Sequence, residues 1–599
     1  MKRLLAILTA AFVLVSAAGL SAYLLIAREV SRERVEAMLS SHFGGTVHLA
    51  AAPRISLLQG PSLVIEGLRL EGRDGRWTVE ADRLVSNIEP ARLFFGEVLL
   101  SSHLLEGARL HFDGFDLAPA SLSGLGEDLT RLIEAQVAIA GGEVSWGDTR
   151  QPRLVDLSLR LNPTVDGGSI RGSLMAGDQK VEFSASLGNR GTLTGRASGP
   201  VAVSIASPLA AFRMNGALRN PDAARLEGTF EFSTSDFRGL SIRFGRALVG
   251  EASFGALRIG GQGAVDLSRL VLDTARLELD GNVGEGRLGF ELGEKRPRLE
   301  GTLAFESFDL SAYLGELQGI AGLAVASGDK GANSLRQRPL AGFLRAGDID
   351  LRLSTAKFVT AGLSGGPSAI SLLLRDGDLT VDLSETMVAG GVLDGAARLK
   401  PVGGGGEDFD FSANVVVEAV DTRQLTGFAR VSLPDTGRLS LRIDRSGRGE
   451  TLAAILASAG GEVELALEKA SFPAGGEVLG RLLSDGQAAS GSSSGSGPGS
   501  GATPLVVERL SAKARIEEGD LRLAEVEVLT GQQVLQAGGR MSLTDLALSL
   551  RGRLAPRLAG TQPDAAAIAE AGMPVLVRGT LAQPSLLPDL TGVGSPSQR

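Results

Sequence analysis

The residues able to do acid–base or nucleophilic chemistry are few and poorly placed for it. Four histidines, His42, His48, His103 and His111, all fall in the first fifth of a 599-residue chain. Neither His42/His48 nor His103/His111 has the i,i+4 spacing that would set two rings on one helix face to hold a metal. No H-E-x-x-H and no P-loop occurs. Two G-x-S-x-G matches exist, around Ser364 and Ser493. A nucleophile elbow needs an acid and then a histidine downstream of its serine, whereas every histidine here lies upstream. The chain has no cysteine, which excludes disulfides, thiolate zinc, iron–sulfur clusters and thiol catalysis. Asp376-Gly377-Asp378 resembles a calcium-binding turn but lacks the ligand number. The expectation is a protein that is not an enzyme, with no cofactor and no metal site.

Charge narrows the partners. Lys and Arg number 60 against 69 Asp and Glu, for a net −9, with no basic block. A nucleic-acid surface would leave a basic stripe, so no nucleic-acid partner is expected. The 81 glycines and an aromatic share of 4% suit many short strands joined by tight turns. Glycine shows no triplet period, so the chain is not collagen-like.

The elements that would carry a function begin with an uncharged run, Leu4 to Ala27. As a helix it would span roughly 36 Å, enough to cross a hydrocarbon core. Lys2 and Arg3 precede it, and Arg28, Glu29, Arg32, Glu33, Arg34 and Glu36 follow. These charges do not fix orientation, and a long C-terminal portion translocates regardless of them. Residues 1–3 are therefore expected to be a cytoplasmic stub, with 4–27 a single-pass membrane anchor and the bulk exported. A cleaved signal peptide, with Ser16 and Ala18 as the small residues before the cut, is the alternative. Both readings export the remainder.

Beyond the anchor the dominant pattern is alternation. Ile349, Leu351 and Leu353 interleave with Asp348, Asp350, Arg352 and Ser354; Leu379, Val381 and Leu383 interleave with Asp378, Thr380, Asp382 and Ser384. Leu439, Leu441 and Ile443, then Val463, Leu465 and Leu467, then Leu546, Leu548 and Leu550 repeat it. A period of two gives each strand one apolar and one polar face, as in antiparallel sheets with one face solvated. The fold class expected is mainly β, with about 25–30 strands and helices confined to 29–42, 119–137, 451–459 and 563–571. Arg-Leu-Glu-Gly-Thr-Phe-Glu-Phe at 225–232 recurs as Arg-Leu-Glu-Gly-Thr-Leu-Ala-Phe at 298–305, suiting an array of similar hairpins. Residues 486–503 are Gly/Ser-rich and should form a flexible loop. Residues 324–338 and 403–406 read as shorter loops, and 591–599 as a disordered tail.

Particular segments resemble the AsmA family of inner-membrane-anchored envelope proteins. After the uncharged run come Phe43-Gly44-Gly45-Thr46-Val47, then Arg54-Ile55-Ser56-Leu57, then Glu66-Gly67-Leu68-Arg69-Leu70. The C-terminal part carries Leu510–Asp520, then Gln536–Leu543, and an ending Pro574-Val575-Leu576-Val577-Arg578-Gly579-Thr580-Leu581 followed by Pro584, Pro588 and Asp589. The resemblance covers about 1–115 and 440–590, so the chain divides into a β-rich region at 28–440 and an AsmA-like C-terminal region at 441–590. The Gly/Ser insertion at 486–503 departs from the pattern. The resemblance implies an anchor in the inner membrane with the bulk of the chain in the periplasm, an elongated, curved, trough-like antiparallel sheet and a role in envelope lipid homeostasis. It implies no catalytic residues.

The physics is compatible with that implication. A half-apolar sheet must hide its apolar face, and few helices are available here to cover it. Ile349, Leu351, Leu353, Leu379, Val381, Leu383, Leu439, Leu441, Ile443, Val463, Leu465 and Leu467 are thus the candidates to line a lipid groove, with membrane phospholipid as the expected partner. The rival expectation is a structural or assembly factor for outer-membrane proteins, with a dry sheet interior and a free edge strand that pairs with other envelope proteins. An envelope enzyme would need a polar constellation that the sequence does not offer.

Overall fold

The structure is a computed structural model. It describes residues 31–589 except 57–59, 73–74, 76, 90–91, 93–97, 114–128, 148–150, 166, 190–197, 221–224, 244–253, 267, 294–295, 312, 314–338, 361–362, 404–406, 426–433, 473–504, 518–519, 543–546, 558–571 and 581–582. The expected anchor, the Gly/Ser loop, the 324–338 loop, the 563–571 helix and the terminal tail lie outside the described residues. Among the described residues no helix is long and apolar enough to cross a membrane.

Strands dominate, as the alternation predicts: the described residues hold 31 of them, with a few short helices. The chain divides into two compact units, Met1–Asp236 with Arg258–Ala275, and Phe237–Leu257 with Arg276–Arg599.

The first unit opens with helix α1, Arg32–Phe43. Ser31 caps its start, accepting from the Arg34 amide, and Gly44 ends it in the left-handed region at φ 76°, a conformation glycine adopts without a Cβ clash. The helix buries Val35, Leu39 and Phe43. Thr46–Leu49 and Arg54–Ser56 then pair along Ser62–Glu71, which pairs with Trp77–Ile88. Further on, strands from Val137–Trp146 to Arg225–Thr234 follow as antiparallel neighbours. The helix expected over 119–137 is described only at 129–134, and Val137 already begins a strand.

The second unit is a ladder of about 15 successive strands from Asn282–Leu292 to Gln583–Pro588. Among its described residues are three short helices: α2 (Phe237–Arg243), α3 (Leu340–Leu344) and α4 (Leu452–Ser458). The last fulfils the expectation at 451–459.

Pairing is mixed rather than purely antiparallel, which corrects the expected fold class. Pro297–Asp309 runs parallel to Asp348–Thr360, and Val137–Trp146 runs parallel to both Leu100–Glu106 and Arg109–Phe112. Parallel neighbours need a connection of about a dozen residues or more. The segments 310–347 and 107–136 supply it, and strand periodicity carries no signal of direction.

Candidate functional site

All twelve groove candidates fall on one face of the second unit. Register places them there. Ile349, Leu351 and Leu353 stand opposite Leu374, Leu372 and Ile370, which stand opposite Leu379, Val381 and Leu383. Leu383 continues through Gly395 and Val415 to Ile443 and Val463. Leu439 and Leu441 face Leu467 and Leu465. The apolar side chains therefore form rows that run across the strands.

Five rows can be followed, and they differ in cover. The first, Ile349–Leu374–Leu379–Leu399–Phe411, is sealed by α3 and α4. Leu344 and Ile455 bury themselves there with Phe409 and Leu374, and Leu340, Ala341, Ile349, Leu379, Leu399 and Phe411 pack around them. Helix α4 sits directly on backbone: a Cβ on Gly449 would stand 2.5 Å from that of Ala454, and one on Gly447 would stand 2.6 Å from the Ile455 carbonyl. At the opposite end of the strands Phe358, Val388, Ala389 and Val420 form a second sealed cluster, with Leu310, Leu363, Val417 and Leu425 packed on it. The fifth row, Leu439–Leu467–Leu510–Val528–Leu535–Leu554–Met573, is also closed: Leu467 is 6% exposed and Leu535 6%.

Between these flanks three rows are only half-buried. They are Leu351–Leu372–Val381–Ala397–Ala413, Leu353–Ile370–Leu383–Gly395–Val415–Ile443–Val463, and Leu393–Val417–Leu441–Leu465. Eleven of the twelve candidates are half-buried, and Leu467 alone is buried. From Leu505–Glu517 onward the same face is largely dry: Ala514, Ile516, Leu521, Leu550, Val575 and Val577 are buried, packing in clusters with their neighbours. The open strip thus belongs to the strands between 348 and 472.

The opposite face carries the charges that hold the register. Glu462, Glu464 and Glu468 stand across from Arg515, Lys513 and Arg509, with N–O distances of 3.2, 4.0 and 3.5 Å. Arg398 forks onto Asp378 at 3.0 and 2.6 Å, and Arg448 onto Asp410 at 2.6 and 3.2 Å. Those hydrogen bonds draw the Asp410 carboxyl below its ordinary range. Exposed pairs of this kind add little stability. A one-residue slip, however, would turn every apolar row outward and set these charges against apolar neighbours.

Two features were not found from sequence. Strand Ser368–Arg375 inserts Ile370, Leu372 and Leu374 between two predicted strands. Its alternation is masked by Leu373, which faces the other side and is exposed. The second is Arg445, which continues the phase of Leu439, Leu441 and Ile443 onto the apolar face, opposite Ala413 and Gly461. Extending the alternation by one step would have revealed it.

The nearest approach to a catalytic arrangement among the described residues lies in the first unit. Ser145 Oγ is 2.9 Å from His111 Nδ1, and His111 Nε2 is 3.3 Å from Asp113 Oδ1. The ring is reversed relative to a Ser-His-Asp triad, where Nε2 meets the serine and Nδ1 the acid. Ser145 is buried in a parallel ladder and also lies 3.4 Å from the Leu110 carbonyl, which can accept its proton. A separate pair, Ser86 Oγ and His103 Nδ1 at 2.8 Å, is fully enclosed beneath Phe43. Ser364 lies on strand Leu363–Gly365, paired at the Thr360 end of Asp348–Thr360, not on a strand-to-helix elbow. No cluster of three or more metal-ligating side chains occurs among the described residues.

No family model, curated protein or solved structure matches this chain.

Proposed function

We propose that the chain is a membrane-anchored envelope protein of the AsmA type that holds phospholipid on the open strip of its second unit and conveys it between inner and outer membranes. The observation that supports this reading is the half-exposed strip itself: three contiguous apolar rows, sealed on both flanks by α3, α4 and the Phe358 cluster. Contiguous exposed apolar surface on a soluble fold marks a binding site. Three rows two residues apart span roughly 13 Å along the strands, and seven strands at about 4.8 Å spacing run roughly 30 Å across them. Alkyl chains laid along the rows would gain about 0.8 kcal/mol per buried CH₂. The anchor at Leu4 to Ala27 and the periplasmic location belong to this proposal.

The assembly-factor reading depends on a free strand edge. The terminal strand Gln583–Pro588 has Met573–Thr580 as its described neighbour. Pro584 and Pro588 remove two of its backbone donors, which blunts an edge against strand addition. The dry C-terminal rows fit that reading, but the open strip has no part in it.

The test is a photo-crosslinking residue placed at Leu383 or Val381, and separately at the adjacent Asp382, in the full chain in cells. Asp382 is exposed on the other face. Lipid adducts at Leu383 and Val381 but not at Asp382 are expected. Equal labelling of both faces, or none on the apolar one, would refute the reading.

A further inference from the structure

Arg445 is out of place. Its neighbours along the strand on the same face are Ile443 and Gly447, and its partners across the ladder are Ala413 and Gly461. Beyond these stand Ala397 and Ile516. It is the one charged side chain in the three half-open rows and their direct continuation, in line with Leu351, Leu372 and Val381.

Among the described residues the Arg445 guanidinium makes no ion pair or side-chain hydrogen bond, and its Nε is buried with no acceptor. Burial draws its pKa below the ordinary guanidinium value, yet arginine remains cationic. The other arginines of its strand face outward, and Arg448 is matched with Asp410. A half-buried cation with an unsatisfied donor is costly. The strand could have removed that cost by continuing Leu439, Leu441 and Ile443 with another aliphatic residue.

Its position is also specific. Arg445 lies one step from Gly447, where α4 covers the sheet, so it stands at the boundary between the sealed first row and the open strip. The row narrows toward it, from Leu351, Leu372 and Val381 to Ala397, Ala413 and Gly461. The side chains beside the cation in that row are small.

We infer that Arg445 is the headgroup anchor of the strip: it binds the phosphate of an anionic diacyl phospholipid whose chains lie over Leu353, Leu383, Val415, Ile443 and Leu441. The inference rests on the proposal that the strip holds lipid, and it assigns the lipid class. A guanidinium forks onto a phosphate with charge-assisted hydrogen bonds. A neutral diacyl lipid offers the same chains and nothing for Arg445.

The experiment uses the full chain in neutral detergent micelles, titrated with phosphatidic acid and with the diacylglycerol of the same chains, each carrying a fluorescent label on one chain. Wild type, Arg445→Leu, Arg445→Lys and Leu353→Asp are compared, each first shown to retain the wild-type circular dichroism spectrum. Wild type should prefer phosphatidic acid by about ten-fold or more. Arg445→Leu should bind both lipids alike, near the wild-type affinity for diacylglycerol. Arg445→Lys should keep part of the preference, and Leu353→Asp should weaken both lipids. A preference undiminished in Arg445→Leu would overturn the anchor while leaving the lipid strip standing. If wild type captured neither lipid, or Leu353→Asp changed neither, the strip reading itself would fall, and the anchor with it. Displacement of the labelled lipid by an equal concentration of inorganic phosphate would reassign Arg445 to free phosphate and overturn the lipid class.

Discussion

Acidification should loosen the first unit through one buried ring. His103 is 1% exposed, between Ser86 on the neighbouring strand and Phe43 of α1, whose ring centroid is 4.9 Å away. Its Nε2 is buried with no acceptor among the described residues. Burial, reinforced by His42, pushes its pKa from the ordinary 6.5 down to about 4. Between those values the unfolded chain binds a proton that the folded chain refuses, so stability rises with pH. The contribution is intact above pH 6.5, falls as pH drops, and is fully lost below about 4. The span is worth about 3 kcal/mol at 1.36 kcal/mol per unit. Both tryptophans, Trp77 and Trp146, lie in the first unit, so their fluorescence during urea unfolding reports that unit. Wild type and His103→Gln are to be unfolded at intervals from pH 7.5 to 4. The glutamine keeps a polar partner for Ser86 and cannot titrate. The difference between the two stability curves should therefore grow by about 3 kcal/mol as pH falls from 7 to 4. Curves that stay parallel through that window would show that His103 is not the group responsible, and that the enclosure under Phe43 is looser than described.

Other expectations concern the second unit. Phe409→Ala empties the centre of the cluster under α3 and α4 and should cost about 3–5 kcal/mol in urea unfolding of that unit. Gly449→Val would drive a side chain into Ala454 and the Ile455 amide; it should displace α4 and raise hydrogen exchange across 452–458, with a loss of about 1–3 kcal/mol. Glu462→Arg sets like charges opposite Arg515 and should lower the unfolding midpoint slightly, and adding Arg515→Glu should restore it, as a double-mutant cycle would read. Leu383→Asp should abolish lipid adducts from a crosslinker at Val381 without changing the unfolding midpoint, because the site is half-open.

Alternation made the strands and their apolar face legible because a period of two fixes which side chains share a face, whatever the partner strand. That is why Ile349, Leu379, Ile443 and Val463, read from separate segments, meet on one surface. The order of strands was less accessible. Leu372-Leu373-Leu374 reads as an unbroken apolar run, and only pairing with Leu351 and Val381 shows that Leu373 points the other way. The parallel return from Pro297–Asp309 to Asp348–Thr360 was illegible for a different reason: direction is set by the connection, and 310–347 carries no distinct pattern. Exposure along the face was not legible either. Leu465 and Leu467 are neighbours in one alternating run, yet the first is half-buried at the margin of the cluster that buries the second.

Strand length sets how many inward positions the face offers. Asp348–Thr360, Phe409–Asp421 and Gly460–Phe472 have 13 residues each and Thr436–Gly449 has 14, so each offers several inward positions. The helices over their ends are short: α3 has five residues and α4 seven, enough for one row. The Phe358 cluster takes the other end, and the rows between are only half-buried. The C-terminal strands Gln533–Ser542, Ala547–Pro556 and Met573–Thr580 have 10, 10 and 8 residues. There the apolar residues meet one another, as Ala537, Leu550 and Val577 do. A longer α3 or α4 carrying two further apolar turns would close the strip at little sequence cost. The chain instead keeps α4 short, seats it on Gly447 and Gly449, and places a cation immediately past its edge. Closing the strip would bury Arg445 without a partner. The proposed anionic amphiphile would account for the open rows and the arginine together, its chains covering the rows and its headgroup neutralising the cation.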